Sequence, residues 1–136
     1  MDAAIALKQV RYDAKTSLSR QLARFVDAKL ALANNPQWMG MMRVTAGVFR
    51  RYPELTQEII QRSQAKEDTL VSWLEAATDD GALKVSEPEV AAAVFWSMVT
   101  GAFFWPAIFY GPLPADEAKR LKTEMIEMFL QPYLPD

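Results

Sequence analysis

The chain is predicted to be all-α, built from five or six helices. Apolar residues recur at helical spacing between glycine and proline breaks, and no run alternates with period two as a half-buried strand does. Helix-start and helix-stop residues also fall where the periodic stretches begin and end.

In chain order, a first helix is expected over about Asp2–Tyr12. A second covers Ser17–Ala33, with Leu18, Leu22, Phe25, Val26 and Leu30 on one stripe. Asn34 and Asn35 suit a C-cap, and Pro36 suits the first turn of the next helix. That third helix, Gln37–Tyr52, presents Trp38, Met41, Met42, Val44, Thr45, Val48 and Phe49. Pro53 starts a fourth through Thr78, bearing Leu55, Ile59, Ile60, Leu70, Trp73 and Leu74, with Gly81 as its left-handed cap. Ser86 and Glu89 have the S-x-x-E spacing of a capping box for a helix reaching about Tyr110, interrupted or kinked at Pro106. A last helix runs from Pro114 to about Tyr133, with Asp116 and Glu117 opposing the positive end of its dipole.

With 136 residues the chain makes one domain by size, and it has a 51% hydrophobic content to fill a core. It contains neither cysteine nor histidine, which excludes disulfides, thiolate metal sites, cysteine nucleophiles and imidazole bases. No nucleophile elbow, phosphate loop or metal-ligand spacing is present, and the acidic pairs Glu54/Glu58, Glu124/Glu127 and Asp116/Glu117 fit solvated helix faces. The expectation is a protein without enzymatic activity, cofactor or metal. The opening "MDAAIALKQVRYD" lacks the basic-then-apolar order of a secretory signal, so a reducing cytoplasm is the expected location. Residues 1–51 hold nine basic side chains against three acids, an imbalance too small to assert nucleic-acid binding.

Val90 through Leu113 carry no charge. Val90–Tyr110 is long enough to span a bilayer, but it has no leucine, one isoleucine, a proline, and no closely flanking lysine or arginine. A membrane span is not expected. A helix apolar all round is otherwise buried on every side, and a small domain cannot easily cover a rod ~34 Å long. The last helix shows the same surplus through Ala118, Leu121, Met125, Ile126, Met128, Phe129, Leu130 and Tyr133. Two adjacent helices with excess apolar surface point to a homodimer in which they meet their two-fold mates as a four-helix bundle. Candidate interface residues are Val94, Met98, Ala102, Trp105, Leu121, Met125, Met128 and Phe129.

The succession "RRYPEL", "LVSWLEAATDDGAL", "SEPEVAAAVFWSMVTGAFF" and "KTEMIEMFLQPYL" resembles the C-terminal region of TetR-family transcriptional regulators of the AefR-like type, over about Leu18–Leu134. The resemblance implies a dimer through the last two helices and a cavity for a small hydrophobic effector. It also divides the chain into a lead-in (1–16) on the linker side of a missing DNA reader, and an effector-binding and dimerisation domain (17–136). DNA would then be reached only through a reader absent from this chain. "TAGVFRRYPEL" (Thr45–Leu55) mimics a helix-turn-helix at Ala46-Gly47-Val48, but Pro53 arrives too soon for a recognition helix. Arg43, Arg50 and Arg51 fit a solvated edge.

Cavities between helices are walled by apolar and aromatic groups, with a few polar ones to orient the ligand. Candidate effector contacts are Trp38, Met42, Thr45, Phe49, Trp73, Phe95, Trp96, Thr100, Phe103 and Phe104, with Ser97 and Tyr110 as further hydroxyls. Plain core packing is the competing role for each of them. Two other functions stay open: a structural dimerisation protein with a filled core, and an enzyme of unrecognised type.

Overall fold

The structure is a computed structural model that describes residues 10–55, 57, 58 and 68–136. The described residues are helical with no strand, as expected, and six α-helices lie wholly among them: α1 (Leu18–Ala33), α2 (Pro36–Arg51), α3 (Thr69–Asp79), α4 (Pro88–Val99), α5 (Trp105–Tyr110) and α6 (Ala115–Leu130); residues 53–55, 57 and 58 are helical as well. A π-helical turn, Thr100–Phe104, joins α4 to α5, and a 3-10 turn, Gln131–Tyr133, follows α6.

Helix α1 is the central rod. Leu22, Phe25 and Val26 are fully buried on the expected stripe, where α1 packs against α2, α6 and the π turn. Each such side chain contributes about 1.5–3 kcal/mol by leaving water. Helix α3 lies against α4 and brings Leu70, Trp73, Leu74 and Ala77 to the same core. Its end is a Schellman motif around Gly81, which has φ +81°. Ala82 N–H donates to the Ala77 carbonyl at 2.9 Å and Gly81 N–H to the Thr78 carbonyl at 3.0 Å, satisfying two orphan acceptors.

Several boundaries differ from the sequence reading. Of the helix expected over Asp2–Tyr12, residues 1–9 lie outside the described residues, and Val10–Tyr12 are not helical. The helix expected over Pro53–Thr78 is not continuous. Asp68 leaves the helical region (φ −118°, ψ 1°) and α3 starts at Thr69, while Ile59 and Ile60 lie outside the described residues. Asn35 caps the helix that follows it: its side chain accepts from the backbone N–H of Gln37 at 3.0 Å and of Trp38 at 3.1 Å.

The Ser86–Glu89 capping box does not form. Glu87 is the N-cap, with φ −130° and ψ 79°, and Pro88 takes the first turn. The ring of Pro88 disfavours helical backbone at the residue before it, so Ser86 cannot sit one position ahead of a helical Glu87. Proline, with no N–H to leave orphaned, starts the helix instead.

Pro106 interrupts the long helix in a specific way. It has no N–H for the carbonyl of Ala102, and its ring would crowd that carbonyl in a regular turn. The backbone widens just upstream, and Trp105 N–H bonds to Thr100 five residues back.

Candidate functional site

The candidate effector contacts fall into three groups. Trp73, Phe95 and Trp96 gather around Phe25 of α1 through edge-to-face contacts: Phe25–Trp73 and Phe25–Trp96 at 6.2 Å between centroids, and Phe95–Trp96 at 5.3 Å. Trp38 meets Phe104 at 5.4 Å, joining α2 to the π turn. Phe49 meets Trp105 at 6.1 Å, joining α2 to α5. Phe103 is buried in the core, and Met42 and Thr100 are half-buried. The Thr45 hydroxyl donates back to the Met41 carbonyl of its own helix at 2.9 Å.

The two tryptophans beside Phe25 differ in one respect. Trp73 Nε1 donates to Oε1 of fully buried Gln21 at 2.9 Å. Trp96 Nε1 is closed off from solvent and has no hydrogen-bond partner among the described residues. The Lys29 ammonium lies over the Trp96 ring, 4.9 Å from its centroid, within cation–π range.

Gln21 also ties down the lead-in. Its Oε1 accepts from Asp13 N–H at 2.8 Å, and its Nε2 donates to the carbonyls of Asp13 and Thr16, each at 2.8 Å. Tyr12 packs edge-on to Trp73 and donates its hydroxyl to Asp80 at 2.6 Å. That bond raises the Tyr12 phenol above its ordinary value, with burial and the charges of Asp80 and Asp13 adding to the shift. The Lys15 backbone N–H and the Thr16 hydroxyl hold the Asp13 carboxyl below the ordinary carboxylate range.

Two clefts stand out among the described residues, and both open to solvent. One, about 300 Å³, runs between α1 and α6 and is lined by Ser17, Ser19, Arg20, Lys122, Thr123 and Glu127 among others. The second, about 550 Å³, lies between the lead-in and α3, over Arg11, Tyr12, Asp68, Thr69, Ser72 and Trp73. Trp73 is the one candidate contact that borders either cleft.

The interface candidates divide as well. Val94, Trp105, Leu121 and Met128 are exposed large apolar side chains, and Met98 and Ala102 are half-buried. Met125 and Phe129 are 6% and 3% exposed and belong to the protomer's own core, where Phe129 meets Phe95 at 5.0 Å. On α6 the surplus apolar surface is narrower than the sequence implies, because α1 covers one flank. The surplus on the long helix is wider. Val90 and Phe109 extend it, and only 39% of the most apolar stretch of Pro88–Tyr110 is buried.

Gln21, Phe25 and Lys29 are absent from the sequence-derived site. Phe25 was visible as a member of the α1 stripe, whereas no signal in α1 singled out Gln21 or pointed Lys29 at Trp96. Arg43 is more than a solvated edge: its Nε donates to the Ile108 carbonyl at 3.1 Å, satisfying an orphan acceptor in the last turn of α5. Helix α2 runs unbroken through Ala46-Gly47-Val48, so those residues do not form the turn they imitate.

The described residues form an all-helical domain with an aromatic core and an uncovered apolar helix face. The sequence model of the AefR-like transcriptional repressor C-terminal domain matches residues 20–135, and the chain belongs to that family. In structure it is similar to a TetR family transcriptional regulator from Pseudomonas syringae pv. tomato str. DC3000, with a TM-score of 0.72 and 26% identity. That likeness covers 96% of this chain and 67% of that one. Comparison with curated proteins gives no significant match.

Proposed function

We propose that the chain is the effector-sensing and dimerisation module of a TetR-like regulator. It works in the cytoplasm, binds a small hydrophobic molecule, and reaches DNA through a reader outside this span. It acts by binding, with no turnover. The observation that carries the reading is the stripe Val90, Val94, Met98, Ala102, Trp105 and Phe109, which recurs every three or four residues along α4, the π turn and α5. Contiguous apolar surface of this extent marks an interaction site in a soluble protein. Leu121 and Met128 of α6 add to it, which suits an isologous contact between two copies. Effector binding would act by favouring one of two dimer geometries.

Sedimentation velocity tests the reading: a dimer is expected at micromolar concentration, and a monomer there overturns it. A second reading, a dimerisation unit with a filled core, is favoured by the burial of Trp73, Phe95, Phe103 and Phe104. Titration with apolar aromatic compounds, followed by tryptophan fluorescence, separates the two. The effector-sensing reading expects a saturable change, and a silent titration supports the filled core.

A further inference from the structure

We infer that two copies of this chain pair with their long helices antiparallel, the aromatic end of one exposed stripe covering the aliphatic end of the other. The inference rests on the dimer reading above and fixes which residues meet.

The stripe is graded along its length. Val90 and Val94, early in α4, are 55% and 47% exposed. Trp105 and Phe109, in α5, are 38% and 65% exposed and stack on each other at 6.1 Å between centroids. Between them lie half-buried Met98 and Ala102 and exposed Gly101, where nothing stands within 4 Å of the place a Cβ would take. A second backbone can come close at that midpoint. The bulkier and smaller ends are evenly set about it. Val94 and Val90 precede Met98 by four and eight residues, and Trp105 and Phe109 follow Ala102 by three and seven. A two-fold axis between Met98 and Ala102 therefore lays Val90 on the partner's Phe109 and Val94 on the partner's Trp105.

The parallel alternative sets each residue against its own mate. Rings then meet rings at one end, which holds the rods apart and leaves the valines at the other end without contact. Close packing penalises such gaps, because atoms facing a void lose their dispersion partners. Large-on-small pairing spreads the bulk evenly along both rods.

Charge favours the same arrangement. The start of α4 is acidic, with Glu87 at the N-cap and Glu89 in the first turn. The other end is basic: Arg43 bonds the Ile108 carbonyl at 3.1 Å, which places its guanidinium at the last turn of α5, and α2 contains no acid. Antiparallel rods bring Glu87 beside the partner's Arg43 twice over, and set opposite ends of the helix dipoles together. Parallel rods set Glu87 against its own copy.

The chain contains no cysteine, so single cysteines read the pairing directly. A disulfide needs Cα atoms within about 7 Å. Two copies of Val90 lie about 28 Å apart in the antiparallel pair, at ~1.5 Å rise per residue, and adjacent in the parallel one. Val90→Cys and Phe109→Cys should each sediment as a dimer at micromolar concentration and, under mild oxidant, not link to themselves. Co-expressed, the two should give a mixed disulfide identified by mass. Val94→Cys with Trp105→Cys repeats the test should Phe109→Cys assemble poorly. Glu87→Gln, which loses no capping bond, should weaken assembly about two- to tenfold at low ionic strength and less in high salt. An unchanged or tighter Glu87→Gln dimer overturns the Glu87–Arg43 pairing. Self-linking of either cysteine variant, or a dimer that yields no mixed disulfide, overturns the antiparallel register and leaves the dimer reading standing. A wild-type monomer in sedimentation overturns both.

Discussion

Trp73 donates its indole N–H to Gln21 at 2.9 Å across 52 residues of sequence, and the bond joins α3 to α1 inside the core. Both side chains are buried, and the Gln21 amide is further used by the backbone of Asp13 and Thr16. The network is satisfied on every side shown, so losing one member exposes the others. Gln21→Leu keeps the volume but strands the Trp73 and Asp13 donors, at an expected cost of about 2–4 kcal/mol. Trp73→Phe should cost about 2–3 kcal/mol through the lost bond and the space left behind. Trp96→Phe should stay within about 1 kcal/mol of wild type, because the N–H it removes has no partner to lose. Urea unfolding read as midpoint shifts at constant slope checks the ranking. A Trp96→Phe cost equal to that of Trp73→Phe would contradict it.

The fold was legible in the sequence where period and punctuation agree. The α1 stripe and the Gly81 cap fall where spacing and glycine place them. The bounds of α2 were read to within a residue, but its buried face was not, because it has no charge before Arg43 and its apolar residues occupy several faces. The expected face included Met41 and Val44, which are exposed, while the buried Met39 went unnoticed. The site was less legible still. Tryptophan looks the same in sequence whether its N–H is used, as in Trp73, or spare, as in Trp96. Only the position of Gln21 on a neighbouring helix separates them. Similarly, Met125 and Phe129 share a stripe with Leu121 and Met128, and packing against α1 divides that stripe between core and surface.

That division gives the second prediction. Val94→Glu and Phe109→Glu place a charge on the exposed stripe and should convert a dimer to a folded monomer in sedimentation, with helical circular dichroism intact. Phe129→Glu should behave differently. It buries a carboxylate beside Phe95 and Tyr133, so helicity should be lost along with assembly. If Phe129→Glu gives a folded monomer, Phe129 belongs to the interface after all.

Tyr12 and Asp13 set a pH dependence at opposite ends. The raised phenol of Tyr12 favours the protonated form in the folded state, so its contribution is full below about pH 10 and fades as pH rises toward the folded value. The lowered carboxyl of Asp13 favours the charged form, so its contribution is present above about pH 4 and fades in acid. Tyr12→Phe should flatten the alkaline limb of a melting temperature–pH profile, and Asp13→Asn the acid limb. Each substitution should leave the other limb in place. A profile in which Tyr12→Phe leaves the alkaline limb unchanged would remove the Tyr12–Asp80 bond as its source.

Two glycines with open space around them should respond to alanine with opposite signs. Gly47 lies inside α2 at ordinary helical backbone, and nothing stands within 4 Å of where a Cβ would go. Gly47→Ala should therefore stabilise by about 0.5–1 kcal/mol, through the lower freedom of the unfolded chain and better helix propensity. Gly81 is equally uncrowded but has φ +81° in the Schellman cap of α3. There a Cβ meets the backbone strain of the left-handed region, and Gly81→Ala should destabilise by about 1 kcal/mol. Because neither site has steric neighbours, the difference in sign isolates backbone conformation from packing. Thermal melts of the two variants under one buffer read it directly. A stabilised Gly81→Ala would mean that the chain leaves α3 by another route than the Ala82–Ala77 and Gly81–Thr78 bonds.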